Sequence, residues 1–138
     1  MYKSMDVYDD KPHEECGVFG IFDRDLSAVH ETYYGIFALQ HRGQESAGIT
    51  VSDGKTMETF RGMGLVTEVF HNLPEKEGHI GIGHVRYSTT GSSIPVNVQP
   101  LQADSIDGPM ALAHNGNLVN TKNLRRRLLL EGSTFSTT

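Results

Sequence analysis

Cys16-Gly17-Val18-Phe19-Gly20-Ile21-Phe22 is a short apolar run, closed by Asp23 and entered from a polar leader that ends Glu14-Glu15. Its length and composition predict a largely buried strand. Cys16 is the chain's only cysteine, and a backbone cut after Glu15 would make it N-terminal. A free α-amino group has a pKa of roughly 7.7 to 8.0, whereas the same nitrogen in a peptide bond is no base. Cleavage between Glu15 and Cys16 would therefore supply a nucleophile and its general base in one residue. A solitary cysteine in an apolar run is more often plain packing, so residues further along the chain have to decide.

Outward from this run, strand and helix signals alternate without internal repeats or low-complexity tracts. The spacing of Val29, Tyr33, Ile36, Phe37 and Gln40 predicts a helix over Leu26 to Gln40, with Asp25 as N-cap and an end near Gly43. Ala47 to Ser52 and Thr56 to Arg61 flank Asp53-Gly54, the pair favoured in a type I′ hairpin turn, and predict adjacent antiparallel strands. A short helix is expected over Leu65 to Asn72, before Pro74, and a strand over His79 to Tyr87. Ser88 to Val98, rich in Gly, Ser, Thr and Pro, reads as a loop, and Met110 to His114 as a strand. A last helix has Asn120 as N-cap and Gly132 as its stop. The ending Ser133-Thr134-Phe135-Ser136-Thr137-Thr138 completes no element and reads as a truncated polypeptide.

Composition narrows the class. At 138 residues, 37% hydrophobic and 21% charged, the chain suits one soluble globular domain with a real core. A net charge of -5 argues against a nucleic-acid surface, which needs clustered Lys and Arg. Arg125-Arg126-Arg127 is the one basic cluster, and successive helical positions point apart, giving a solvated face. One cysteine excludes an intramolecular disulfide, and no CxxC spacing serves zinc or redox chemistry. The leader carries Asp6, Asp9, Asp10, Glu14 and Glu15 and lacks the apolar core of a secretory signal. No run approaches the roughly 18 apolar residues of a membrane span. A cytoplasmic protein with neither membrane nor nucleic-acid partners is expected.

Four further segments carry polar groups that packing alone does not require. They are Leu39-Gln40-His41-Arg42-Gly43-Gln44-Glu45-Ser46-Ala47-Gly48, Gly83-His84-Val85-Arg86-Tyr87-Ser88-Thr89-Thr90-Gly91, Gln99-Pro100-Leu101 and Ala113-His114-Asn115-Gly116-Asn117. With Cys16 they resemble, from Cys16 to about Leu130, the glutaminase domain of class II glutamine amidotransferases, the N-terminal-nucleophile group. The likeness is closest to the phosphoribosyl pyrophosphate amidotransferase branch, a set of glycosyltransferases at the first committed step of purine synthesis.

The resemblance implies an α+β, four-layer αββα sandwich of two antiparallel sheets, incomplete at its C-terminus. It implies a leader or propeptide at 1–15, the first part of the glutaminase domain at 16–138, and a phosphoribosyltransferase domain absent from this chain. Cys16 would attack the glutamine side-chain amide, with Asn115 and Gly116 as the oxyanion hole. Arg86 would hold the substrate α-carboxylate through the planar fork that lysine lacks, and Thr89 would bind the rest of the amino-acid backbone on a closing loop. Arg42 and Gly43 would shape the wall beside Cys16, and Tyr87 would pass loop closure on to a second site unless it is core. The resemblance further implies propeptide cleavage between Glu15 and Cys16, and a homo-oligomer when full length. Phosphoribosyl pyrophosphate would be met only through the missing domain, with Mg2+ on the pyrophosphate. Some members hold a [4Fe-4S] cluster on downstream cysteines; this chain has none, so no cofactor and no metal is expected in this segment.

Other readings stay open at this stage. Taken singly, Arg86 reads as a surface ion pair and Asn115-Gly116 as a turn. His41, His84 and His114 lie in separate segments, so spacing does not exclude a Cys/His pair, although no H-x-x-x-H spacing favours metal. The family's aspartate for the glutamine α-amino group follows a Phe-Ser-Thr-Thr-like stretch, and the chain stops at Thr138 before it. An inactive fragment, a non-catalytic glutamine-binding module and a related amidotransferase with another acceptor are the alternatives. Unpaired strand edges and exposed apolar faces are expected in an incomplete sandwich.

Overall fold

The computed structural model of the chain describes residues 16–87, 94–116 and 118–137. The leader, the Ser88 to Ser93 part of the loop with Thr89, and Asn117 lie outside them. The apolar run after Cys16 is strand β1 (Gly17–Phe22), followed by helix α1 (Ala28–Ala38) and strands β2 (Ser46–Ser52) and β3 (Met57–Met63). Helix α2 (Val66–Val69), strand β4 (Ile80–Arg86), strands β5 (Leu101–Ser105) and β6 (Gly108–Leu112) and helix α3 (Thr121–Leu130) complete the order. Two antiparallel sheets result, one ordered β1-β4-β2-β3 and the other β5-β6, as the α+β expectation required.

Because β4 pairs antiparallel with both β1 and β2, its side chains sort to two sharply different faces. Gly81, Gly83 and Val85 lie level with Val51, Ile49 and Ala47, and α1 covers this side with Ala28, Val29, Thr32 and Ile36, all buried. A Cβ on Gly83 would run into the Ile36 side chain, so the missing side chain is what lets the helix approach the sheet. Val66 and Phe70 extend the apolar core, and Phe70 meets Tyr33 of α1 edge-on at 6.4 Å between ring centroids. Burial of these aliphatic side chains supplies the driving force for the layer, roughly 1.5–3 kcal/mol for each one fully buried.

The opposite face is polar. It presents Ser46, Gly48 and Thr50 of β2, Thr59 and Arg61 of β3, and His84 and Arg86 of β4. The segment entering β5 lies over it. Arg61 donates to the Val98 carbonyl, Arg86 Nη1 to the Asn97 carbonyl at 3.5 Å, and Thr59 Oγ1 to Gln102 Oε1 at 2.9 Å. Gln102 belongs to β5, so this last bond ties the second sheet to the first. Of the expected αββα layers, the helical cover and both sheets are in place, whereas α3 contains no buried residue.

Several local expectations need correction. Asp25 does not cap α1. Ser27 is the N-cap and makes no side-chain capping bond, while the Asp23 carboxylate organises the turn before it, accepting the N–H groups of Asp25 and Ser27 at 3.0 Å and the Ser27 hydroxyl. That hydroxyl is the main reason the Asp23 carboxyl sits below the usual range. Leu26 is thereby held at φ 63, outside any helix, and α1 starts two residues late. The β2–β3 connection is no two-residue type I′ turn: Ser52 pairs with Met57, leaving four residues between the strands, and only Gly54 has positive φ there. Asp53 organises it, accepting from Lys55 N at 2.7 Å and from Thr56 N at 2.6 Å, so its carboxyl falls far below the carboxylate range. Helix α2 has four residues instead of eight, ending at Val69. Strand β5 was not foreseen, and β6 begins two residues before the predicted Met110. α3 ends as predicted, with Gly132 at φ 91, and Arg125 lies 4.3 Å over the Phe135 ring rather than wholly in solvent. The expected exposure of apolar side chains is present at Phe22, Leu112 and Leu130, which are 68%, 63% and 81% exposed.

Gly48 marks the closest approach between the sheet and its polar cover, since a Cβ there would strike the Gln99 carbonyl oxygen. Gly48→Val is expected to cost about 1–3 kcal/mol in urea unfolding, the usual penalty of overpacking. Gly20→Ala, whose Cβ meets nothing nearer than a carbonyl oxygen at 4.0 Å, is expected to leave the midpoint nearly unchanged.

Candidate active site

The register of β1 against β4 pairs Gly17 with Val85, which sets Cys16 beside the Arg86-Tyr87 end of β4. Cys16 has φ 49, so the chain turns sharply as it enters the strand. Its thiol lies between two main-chain groups of Tyr87: Sγ is 3.4 Å from the Tyr87 carbonyl oxygen, to which it donates, and 3.4 Å from Tyr87 N, from which it accepts. The Cys16 carbonyl oxygen accepts from Arg42 Nε at 2.9 Å and from Asn115 Nδ2 at 3.3 Å. Residues far apart in the chain thus meet on one cysteine. Asn115 lies ninety-nine positions from it.

Each partner is held by its own local structure. Gln40 to Arg42 form a single 3-10 turn after α1. The Gln40 side chain fixes it twice, donating to the Gly43 carbonyl at 2.5 Å and accepting from Val66 N at 2.6 Å. Gly43 lies flat against the end of β4, where a Cβ would stand 2.6 Å from the Val85 carbonyl carbon and 2.7 Å from Arg86 N. No other residue fits between the turn that carries Arg42 and the strand that carries Arg86. Asn115 and Gly116 follow β6 in a turn with Gly116 at φ 122, a conformation that suits glycine. The turn is pinned by Gln99, whose Oε1 accepts from His114 N at 2.7 Å.

Arg86 is 9% exposed, at the inner edge of the polar face, and Glu45 N donates to its carbonyl at 3.0 Å. A guanidinium nearly out of water at the rim of a thiol site is a strong receptor for a carboxylate. Tyr87 is 51% exposed, so its side chain is not core, and the part of it that reaches the thiol is backbone. Thr89 and Glu15 lie outside the described residues. No histidine bonds to Cys16 among the described residues: His41 Nδ1 lies 3.1 Å from the Ala38 carbonyl, and the exposed His114 stands near His84, which is 1% exposed within the polar layer. The hydrogen bonds to Cys16 among the described residues come from Arg42, Tyr87 and Asn115. Reading the sequence gave no role to Gln40 or Gln99; the signal available was a glutamine within each polar motif.

Among the described residues, His84 is a strongly perturbed base. Burial lowers its pKa to about 4, while the nearby His114 backbone and Asn115 side chain oppose the shift and the charges of His114 and Arg86 reinforce it. The ring is therefore neutral at pH 7. The same two neighbours stand close enough to favour a charged ring, yet neither ring nitrogen reaches hydrogen-bond geometry with a partner.

The chain is 54% identical over 125 residues to an amidophosphoribosyltransferase of Synechocystis, a match covering 89% of this chain and 25% of that enzyme. It is 52% identical over 124 residues to the amidophosphoribosyltransferase of Methanocaldococcus jannaschii, covering 88% and 26%. The solved structure of an allosteric regulatory enzyme of purine biosynthesis superposes with a TM-score of 0.80 at 50% identity, over 87% of this chain and 26% of that one. A glutamine phosphoribosylpyrophosphate amidotransferase from B. subtilis, solved with ADP and GMP, gives 0.71 at 47% identity, over 88% and 26%. No protein-family model matches the chain. The chain spans about a quarter of the length of the curated relatives it matches.

The lowered pKa of His84 makes stability depend on pH with a definite sign. Between pH 6.5 and 4 the unfolded chain binds the proton that the folded one refuses, so stability present above pH 6.5 is lost as pH falls towards 4. From pH 7 to 4.5 the loss attributable to His84 should be about 2 kcal/mol. Denaturant unfolding across this range should show a much shallower fall for His84→Gln than for the unmodified chain; parallel falls would refute the assignment.

Proposed function

We propose, for a chain that is a homologue of the amidophosphoribosyltransferases over about a quarter of their length, that its site is the glutaminase centre of such an enzyme. The observation that carries this reading is the convergence of Arg42, Tyr87 and Asn115 on Cys16 at the end of the sheet. In the proposed reaction residues 1–15 are removed first, which frees the Cys16 α-amine. That amine takes the thiol proton, and Sγ bonds to the side-chain carbonyl carbon of glutamine. The carbonyl oxygen becomes an oxyanion, met by Asn115 Nδ2 and the Gly116 N–H. On collapse the C–N bond breaks, the ammonium returns its proton to the leaving nitrogen, and ammonia departs from a γ-glutamyl thioester. Water then adds with the amine again as base, the C–S bond breaks and glutamate leaves.

Arg86 holds the substrate α-carboxylate, because a nearly buried guanidinium gains more from a bidentate anion than an exposed one does. Thr89 binds the substrate backbone from its loop. Arg42 anchors the Cys16 main chain so that the nucleophile does not swing. The ammonia serves a second reaction on phosphoribosyl pyrophosphate with Mg2+, carried by parts of the longer, cytoplasmic and oligomeric protein that this chain does not contain. Among the described residues no helix is long and apolar enough to cross a membrane.

Intact mass before and after treatment with diazo-oxo-norleucine tests the reading. Loss of the leader and one adduct on Cys16 is the expected result, with no adduct on Cys16→Ser. An unprocessed, unlabelled chain would count against it. Asn115→Ala should cut glutaminase turnover by about a hundredfold to a thousandfold, the usual cost of one oxyanion donor. Arg86→Lys should act mainly on KM, because the lysine keeps the charge and loses the fork.

A further inference from the structure

His84 is a buried polar side chain that the proposed chemistry does not use. It sits in β4 two residues before Arg86 and on the same face, with Gly48 of β2 and Val18 of β1 as its cross-strand partners. It is 1% exposed, and neither Nδ1 nor Nε2 has a hydrogen-bond partner. A packing role would be served better by an apolar residue, since a buried imidazole with two unmade bonds loses its hydration for nothing. The His114 main chain and the Asn115 side chain both stand close to the ring. Asn115 already turns Nδ2 towards the Cys16 carbonyl, which leaves its Oδ1 as the acceptor at the other end of the amide.

We propose that His84 is a positioning residue for Asn115: its ring N–H donates to Asn115 Oδ1 in the substrate complex, which keeps Nδ2 aimed at the reacting carbonyl. An asparagine amide is two-faced, and turned by 180° it would present an acceptor to the oxyanion and repel it. The tautomer whose N–H faces the amide fixes the choice, because that donor pairs only with the oxygen end. Burial between Gly48, Val18 and the 94–116 segment keeps the ring neutral in the working range. Arg86 and His114, the charged and titratable groups facing it, disfavour a second proton.

This inference rests on the glutaminase reading, and two measurements on the full, processed chain separate them. In glutaminase kinetics His84→Phe is expected to lower kcat by about tenfold, with KM nearly unchanged, and His84→Gln to restore most of the loss through its own amide N–H. In an Asn115→Ala background His84→Phe should change kcat less than about twofold, because coupled positions are not additive. Equal losses in both backgrounds would overturn the proposal. The imidazole 15N shifts of His84, read with a bound glutamine analogue, should report one fixed neutral tautomer that Asn115→Ala releases; shifts that ignore this substitution would also overturn it. Asn115 is exposed, so its replacement does not threaten folding even where His84→Phe does. A chain without glutaminase activity but with coupled 15N shifts would refute the functional reading alone and leave the contact between the two residues standing.

Discussion

The pairing of β4 between β1 and β2 is the constraint on which the rest of the molecule depends. Side chains alternate along a strand, so this register decides that Gly81, Gly83 and Val85 face helix α1 while His84 and Arg86 face the 94–102 segment. A slip of one residue would put an arginine and a histidine under the helix and two glycines and a valine in the polar layer. The cost would fall twice, in stranded charge on one side and lost apolar burial on the other. The aliphatic face is therefore also what holds the polar face in place.

The same register delivers Cys16. A residue at a strand's first position is placed by the strand's partner, and here the partner ends in Arg86 and Tyr87. The thiol lies against main-chain atoms rather than side chains, so its position is tied to the sheet itself. The loops then contribute what the sheet lacks. Arg42 arrives on a one-turn helix locked by Gln40, and Asn115 on a turn locked by Gln99. Rigid donors of this kind cost little to organise at the moment of reaction, which is why such sites favour doubly tethered turns over free side chains. Among the described residues, ion pairs also stand away from the site. Lys76, for example, reaches Asp53 at 3.6 Å and Glu58 at 3.2 Å at the far end of β2 and β3.

Much of this was legible in the chain. The apolar run after Cys16, the 3.6-residue spacing of Val29, Tyr33 and Ile36 and the paired strands around Asp53-Gly54 each carry local periodicity, and each formed the expected type of element. The motifs around Arg42, Arg86 and Asn115 named the residues that gather on Cys16. The errors share one cause. Asp25 is a good cap by type, but the Asp23 carboxylate builds a turn before α1 by accepting from two backbone N–H groups and the Ser27 hydroxyl, so the helix starts only after Ser27. The Asp53 carboxylate likewise builds a four-residue loop where the residue pair alone suggests a two-residue turn. Strand β5 has a polar, exposed composition and gains its strand character from pairing with β6.

By itself, then, the sequence determined the kinds of element, the pairing of β2 with β3 and the polar residues offered to the site, because periodicity and side-chain type are local properties. Only the tertiary structure decided how those residues combine. It set the Cys16 carbonyl as the point where Arg42 and Asn115 meet, and buried His84 beside the turn of His114 and Asn115. Those outcomes depend on which strand lies beside which and on which face each residue lands. Register and burial are properties of the folded chain as a whole, and no short stretch of sequence contains them.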